Sequence, residues 1–213
     1  MTYYFVVKRI IDVCGAVVAI IIFLPVKVVI ALHIKRVSPE GPIFADIPPR
    51  VGKGGRHFKM FKFRSMIPNA HDALLTNKKL YEEYIRNGYK IEAEKDPRLI
   101  PGALFLRKSS IDELPQFFNV LFGHMSIVGP RAYFPFELEE QAERYPEAKK
   151  HIETLLQVKP GITGPWQVGG RNEIPFTERV KMDAEYATRR SILYDLMIIV
   201  KTPVAIITGR GVS

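Results

Sequence analysis

The stretch KRIIDVCGAVVAIIIFLPVKVVIALHIKR, residues 8–36, decides the fold. From Ile10 to Ile34 it is apolar except for Asp12, Lys27 and His33. A straight helix of that length reaches about 37 Å, enough to cross a bilayer. Three features argue against a simple crossing. Pro25 sits mid-segment, where it removes a backbone donor and clashes with the preceding turn. Lys27 follows it, and a cation at the bilayer centre costs at least ~2.5 kcal/mol. Lys8-Arg9 and Lys35-Arg36 flank both ends, so the positive-inside rule draws both to the cytoplasmic face. A helix that enters, breaks at Pro25 and returns satisfies all three, with the re-entrant unit expected over 1–37. A buried helix and a kinked spanning helix stay open as alternatives. A cleavable leader is disfavoured by Asp12 and by the lack of a small-residue cleavage site.

The remainder, 38–213, reads as one domain. The net charge of +9 favours anionic partners: nucleic acid, anionic lipid or phosphorylated small molecules. Cys14 is the only cysteine, which excludes an intrachain disulfide and Cys/His metal sites. Ser38-Pro39-Glu40-Gly41-Pro42 marks a boundary. Pro42 to Arg64 reads as short extended pieces around Gly52-Lys53-Gly54-Gly55. From Arg50 to Met66 there are six cations and no acid. A period of two places Lys62 and Arg64 on one face and Phe61 and Phe63 on the other, able to meet phosphates; a hairpin with a solvated basic face fits equally. Neither a G-x-G-x-x-G nor a Walker A loop occurs, and there is no G-x-S-x-G elbow. Ala70 to Asn87 reads as one peripheral charged helix.

Arg107-Lys108-Ser109-Ser110-Ile111-Asp112-Glu113-Leu114-Pro115-Gln116 carries the chemistry. Helical spacing of Leu114, Phe117, Phe118, Leu121 and Phe122, with Gly123 as a stop, makes Ser110 an expected N-cap and Glu113 its capping-box partner. In that reading both acids merely complement the helix dipole. The functional reading uses the same geometry. An ionised Asp attacks phosphorus and forms an acyl phosphate, with Mg²⁺ and fixed cations offsetting anion repulsion. Val128-Gly129-Pro130-Arg131 adds a cation on a rigid turn. Lys159 to Asn172 is a glycine-rich loop around Trp166, either a nucleotide approach or a Trp-anchored surface loop. Asp183, taken alone, reads as a helix-surface acid. Ile192 to Ile207 is an interfacial or core helix that Pro203 should break or kink, with Arg189, Arg190 and Lys201 facing headgroups in the interfacial case.

Several of these motifs occur together and in order: Lys62-Phe63-Arg64-Ser65-Met66, Asp96-Pro97-Arg98, Ser110 to Gln116, Asn119-Val120-Leu121, Met125 to Arg131, and Pro160-Gly161-Ile162-Thr163-Gly164. In these the chain resembles, over nearly its whole length, the bacterial sugar transferases, the monotopic polyprenyl-phosphate phosphoglycosyl transferases, and among them the minimal members. The resemblance implies a helix-rich α+β fold: a re-entrant membrane helix, a small cytoplasmic α/β catalytic domain and interfacial amphipathic helices. It implies transfer of a sugar phosphate from a UDP-sugar to polyprenyl (undecaprenyl) phosphate at the cytoplasmic face of a bacterial inner membrane, releasing UMP. It implies Asp112 as nucleophile, Glu113 as its dyad partner holding Mg²⁺ with Asp112, and Lys62, Arg107, Arg131, Asp183 and Gln116 around the substrate phosphates. Membrane phospholipid is the expected surroundings, no nucleic-acid partner is expected, and a homodimer is compatible. Leu24, Ala103, His124, Ala132 and Arg190 depart from the usual family residues, and none touches the dyad. A metal-dependent nucleotide-sugar hydrolase and a non-catalytic basic module are the competing readings.

Overall fold

The computed structural model describes residues 2–86, 91–170 and 174–207. The fold is helix-rich α+β with two small sheets. Helix α1 (Thr2–Ile22) meets α2 (Leu24–Val37) at a bend of 59°. Neither is long and apolar enough to cross a membrane alone, although the bent pair together has the length and composition. The break falls at Phe23, two residues before the expected Pro25, which lies in the first turn of α2. A first turn needs no donor from proline, so the bend opens upstream of it. The backbone stays paired across the bend, with Phe23 N on Ala19 O (3.0 Å) and Lys27 N on Phe23 O (2.9 Å).

The hairpin has two faces. Asp12, Ala16, Lys27, Ile30 and Ile34 are buried against the protein. Val17, Val18, Ile21, Ile22, Val28, Val29 and Leu32 are exposed. Asp12 Oδ1 accepts from Ser126 Oγ (2.9 Å) and from Ile127 N (2.9 Å), which pins α1 to the next sheet. Lys27 points inward, its ammonium 5.2 Å from the Phe118 ring centre. Lys27 is thus turned away from the exposed apolar face of α2, its ammonium against an aromatic ring and without a hydrogen-bond partner among the described residues.

The cationic middle folds as expected around its glycines. Strand β1 (Arg50–Val51) pairs antiparallel with β2 (His57–Phe58) across a short 3₁₀ turn at Lys53–Gly55. Helices α3 (Ala70–Thr76) and α4 (Lys78–Arg86) replace the single helix read over 70–87, since Asn77 is extended between them. A short α5 (Ala103–Lys108) leads to a 3₁₀ turn, Ile111–Glu113, and to α6 (Gln116–Leu121). Strand β3 (Ser126–Val128) runs parallel to β4 (Gly161–Thr163). Between them lie α7 (Pro135–Arg144) and α8 (Lys149–Leu155); after them come α9 (Pro165–Gly169), α10 (Phe176–Arg189) and α11 (Ile192–Ile207). The chain segments cross tightly at the end of the parallel pair. A Cβ on Gly161 would stand 2.1 Å from Gly129 N, and one on Gly164 would stand 2.0 Å from Gly129 O. Helix α11 continues through Pro203 rather than ending there.

The core is divided among several clusters. One joins Val51, Tyr133, Leu138, Ile152, Leu155 and Val180. Others seat the hairpin: Ala16 joins Phe58, Met60, Val120 and Met125, while Ile30 and Ile34 join Phe63, Ile100 and Leu106.

Candidate active site

The carboxylate pair is positioned by an irregular turn, not by a capped helix. Ser110 adopts left-handed backbone (φ 57°) and makes no side-chain cap, so the expected capping box is absent. The strained residue turns the chain from α5 directly into the 3₁₀ turn carrying Asp112 and Glu113. Pro115 then begins α6. With the capping explanation gone, the two acids need another one.

That explanation is Lys62. Its ammonium lies 2.8 Å from Asp112 Oδ2 and 3.5 Å from Glu113 Oε1. Two neighbouring backbone bonds hold it there. Phe61 N donates to Asn119 Oδ1 (2.8 Å), and Phe63 N donates to the Asp112 carbonyl (2.8 Å). Asn119 is fully buried on α6 and also donates to Lys59 O (2.8 Å). One amide side chain thus locks the Lys59–Phe61 segment onto the helix that follows the dyad.

The two acids differ in setting. The Asp112 side chain is 1% exposed and that of Glu113 is 39% exposed. Burial pushes the Asp112 carboxyl up, while Lys62 opposes the rise, Glu113 adds to it and Arg107 opposes it. Arg107, in the last turn of α5, is thus within electrostatic range of Asp112. Gln116 is buried at the start of α6. Arg64 does not join Lys62 on a phosphate-facing surface. It is buried and donates to Ser38 Oγ (2.8 Å), Ser38 O (2.6 Å) and Pro42 O (2.6 Å), closing the end of α2.

A second layer of cations lies around Arg131. Its guanidinium stands 4.9 Å from the Trp166 ring centre, and that of Arg179 stands 5.2 Å from the same ring. Trp166 is buried on α9, so it is neither a surface anchor nor an open nucleotide platform. Arg50 donates to Ala132 O (2.9 Å), lies over the Phe134 ring at 3.2 Å and is within electrostatic range of both Arg131 and Glu113. Sequence reading counted Arg50 among the basic residues without singling it out. Its only signal was its place at the start of that run.

Asp183 is fully buried, not on the helix surface. Its Oδ2 accepts from Arg131 N (3.0 Å) and Tyr133 Oη (3.0 Å), fixing the turn that carries Arg131. Of the sequence-selected residues, Lys62, Asp112 and Glu113 are in contact and Arg107 is in electrostatic range. Arg131 and Asp183 are joined through the Arg131 backbone N, with the Arg131 guanidinium against Trp166.

Among the described residues no group of three or more His, Cys, Asp or Glu side chains could hold a metal alone. Mg²⁺ is commonly bound by one or two carboxylates with substrate phosphates and water completing the shell. The half-exposed Glu113 beside Asp112 fits that pattern.

A bent helix pair with an exposed apolar face and a lysine-held carboxylate pair are the two features that any family assignment must account for. The family model described as bacterial sugar transferase matches residues 3–209, and the chain belongs to that family. It is 40% identical to the galactosyl transferase CpsE of Streptococcus agalactiae serotype III (strain NEM316), over 98% of this chain and 44% of the relative. It is 38% identical to the exopolysaccharide production protein ExoY of Sinorhizobium fredii (strain NBRC 101917 / NGR234), over 96% of this chain and 87% of the relative. It is 39% identical to the UDP-glucose:undecaprenyl-phosphate glucose-1-phosphate transferase of Xanthomonas campestris pv. campestris, over 96% of this chain and 40% of the relative. The chain thus spans less than half the length of several curated relatives it matches.

Asp183 yields a prediction for stability. Burial raises its carboxyl to about 7, against the pull of Arg131 N, Tyr133 and the nearby guanidinium groups. The unfolded carboxyl titrates near 3.9, so the native state holds the extra proton between these values. Stability from this group therefore falls as pH rises from about 4 through 7. Asp183→Asn keeps the acceptor and removes the titration. Denaturant unfolding should show wild type losing about 2–4 kcal/mol relative to the variant across that window. Parallel pH profiles would contradict the assignment.

Proposed function

We propose that this chain transfers a sugar 1-phosphate from a UDP-sugar to polyprenyl phosphate at the cytoplasmic face of a bacterial inner membrane. The observation that carries the reading is a buried Asp112 carboxylate held by Lys62 2.8 Å away, in a chain of the bacterial sugar transferase family. The names of its relatives, which include an undecaprenyl-phosphate glucose-1-phosphate transferase, support the acceptor and the group transferred.

Asp112 attacks the sugar-bearing phosphorus of the donor. A bond forms from its carboxylate oxygen to phosphorus, and the bond to the bridging diphosphate oxygen breaks. UMP leaves with that bonding pair. An acyl phosphate bearing the sugar stays on Asp112. A phosphate oxygen of the lipid acceptor then attacks the same phosphorus, frees the carboxylate and yields the polyprenyl diphosphate sugar. Lys62 opposes the burial that pushes the Asp112 carboxyl up and steadies the negative charge that gathers at phosphorus. Arg107, Arg131 and Arg50 supply further positive charge for the donor's diphosphate, and Asp183 holds the Arg131 turn in place. Glu113, with Asp112, would hold Mg²⁺, which supplies charge neutralisation between the donor phosphates and the carboxylates when bound.

Membrane association follows from the acceptor. The exposed apolar faces of α1 and α2 offer a seat in one leaflet, and the positive-inside rule draws both flanking pairs of cations, Lys8-Arg9 and Lys35-Arg36, to one surface. The bent pair then re-enters rather than spans. The lipid phosphate lies at headgroup depth, which is where such a seat holds the catalytic turn.

A panel of UDP-sugars tests the reaction in membrane-embedded protein. One sugar should give about one equivalent of UMP per enzyme without acceptor and continuous turnover with polyprenyl phosphate. Continuous release without acceptor would identify a hydrolase instead. Lys62→Met tests the ion pair. Removing the cation raises the Asp112 carboxyl further, so the acid limb of the kcat/KM profile should move to higher pH, with a loss of about 10²-fold or more near neutrality. An unmoved acid limb would contradict the role of Lys62.

A further inference from the structure

One cavity in the protein contains neither Asp112 nor Lys62 in its walls. It is a cavity of about 270 Å³ between the first turns of α1, the elbow from α10 to α11, strand β3 and the β1–β2 turn. Five cations line it: Lys8, Arg9, Lys53, Lys159 and Arg190. Only one carboxylate, Asp12, is in the wall, and it is engaged by Ser126 Oγ and Ile127 N. Asp195 sits behind Lys8 at 2.8 Å. Five cations against these two acids leave a surplus of three positive charges.

Part of that charge is built into the fold. Arg9 donates to Val120 O (2.7 Å) and Leu121 O (2.9 Å), the closing carbonyls of α6. Arg190 donates to Ala187 O, and its guanidinium lies 5.1 Å from the Phe5 ring centre. The Lys53 ammonium lies 5.4 Å from the same ring. Neither Lys53 nor Lys159 has a carboxylate at ion-pair distance among the described residues. Burial and the charge of Arg9 push the Lys159 ammonium down, Asp12 opposes the fall and Lys53 adds to it, as expected where cations outnumber acids. Such a concavity attracts an anion.

The surroundings select the kind of anion. The helices on either side carry exposed apolar residues: Val6, Ile10 and Val17 on α1, and Leu193, Leu196 and Val200 on α11. A free phosphate has no use for those faces, whereas a lipid phosphate brings acyl chains to cover them. The sugar acceptor is a poor candidate, because its phosphate must reach Asp112. We propose that this cavity holds the headgroup phosphate of a resident anionic phospholipid whose chains lie along α1 and α11. The proposal rests on the membrane seating described above, but not on the assignment of the nucleophile.

Native mass spectrometry of the detergent-purified chain, titrated with phosphatidylglycerol, tests it. Wild type should retain one lipid. Lys53→Gln combined with Lys159→Gln should weaken that retention about tenfold or more, from two lost cation–phosphate contacts. Lys149→Gln with Lys150→Gln, an equal charge loss on α8, should leave it unchanged. Should the double variant fail to fold by circular dichroism, the exposed Lys53→Gln alone should still weaken retention. Equal retention in the cavity and control variants would overturn the proposal. So would displacement of the lipid by inorganic phosphate, which would mark a free-anion site, or by polyprenyl phosphate, which would mark the acceptor's own. UMP release in the same variants reports separately on the catalytic reading.

Discussion

The contact between Lys62 and Asp112 is the constraint on which the catalytic arrangement depends. A carboxylate with 1% of its side chain exposed is costly to ionise unless a cation stands beside it. The protein supplies that cation from a distant stretch of sequence and fixes it by backbone bonds on either side, to Asn119 and to Asp112 itself. The ion pair, the 3₁₀ turn and α6 therefore form one unit. Moving any of them displaces the Asp112 carboxylate. Glu113, next in sequence, points to a wetter environment and is free for a different task.

The same logic of inward polar groups governs the hairpin. Asp12 and Lys27 look misplaced in an apolar run until the structure shows both facing protein. Asp12 is tied to β3, the strand that leads into the Arg131 turn. The helix with the exposed apolar face is thus tied to the strand that leads into the Arg131 turn.

The chain's broad plan was legible in its residues. The apolar run with a proline and flanking cations read as a broken, re-entrant helix, of which the structure shows the break as a 59° bend, and the acidic pair stood out against a basic background. What was not legible depended on tertiary contacts. Proline fixed the break only to within two residues, because the first turn of a helix accepts proline and the bend opens ahead of it. Ser110 matched a capping pattern, yet its left-handed backbone is imposed by the turn that delivers Asp112. Asp183 looked like a surface acid because helical periodicity does not say which face a neighbouring turn will cover. Lys62 and Arg64 alternate in sequence, but one pairs with the dyad and the other locks Ser38. Asn119 stood in a quoted motif, but its bonds to Phe61 N and Lys59 O depend on segments far away in sequence, and Arg50 carries no local signal strong enough to be singled out.

Intact-protein and peptide mass spectrometry of enzyme mixed with donor in the absence of lipid acceptor tests the central claim most directly. The account predicts one added sugar phosphate per chain, mapped to Asp112 and absent from Asp112→Asn. An adduct on another residue, or turnover with no adduct at all on rapid quenching, would contradict it.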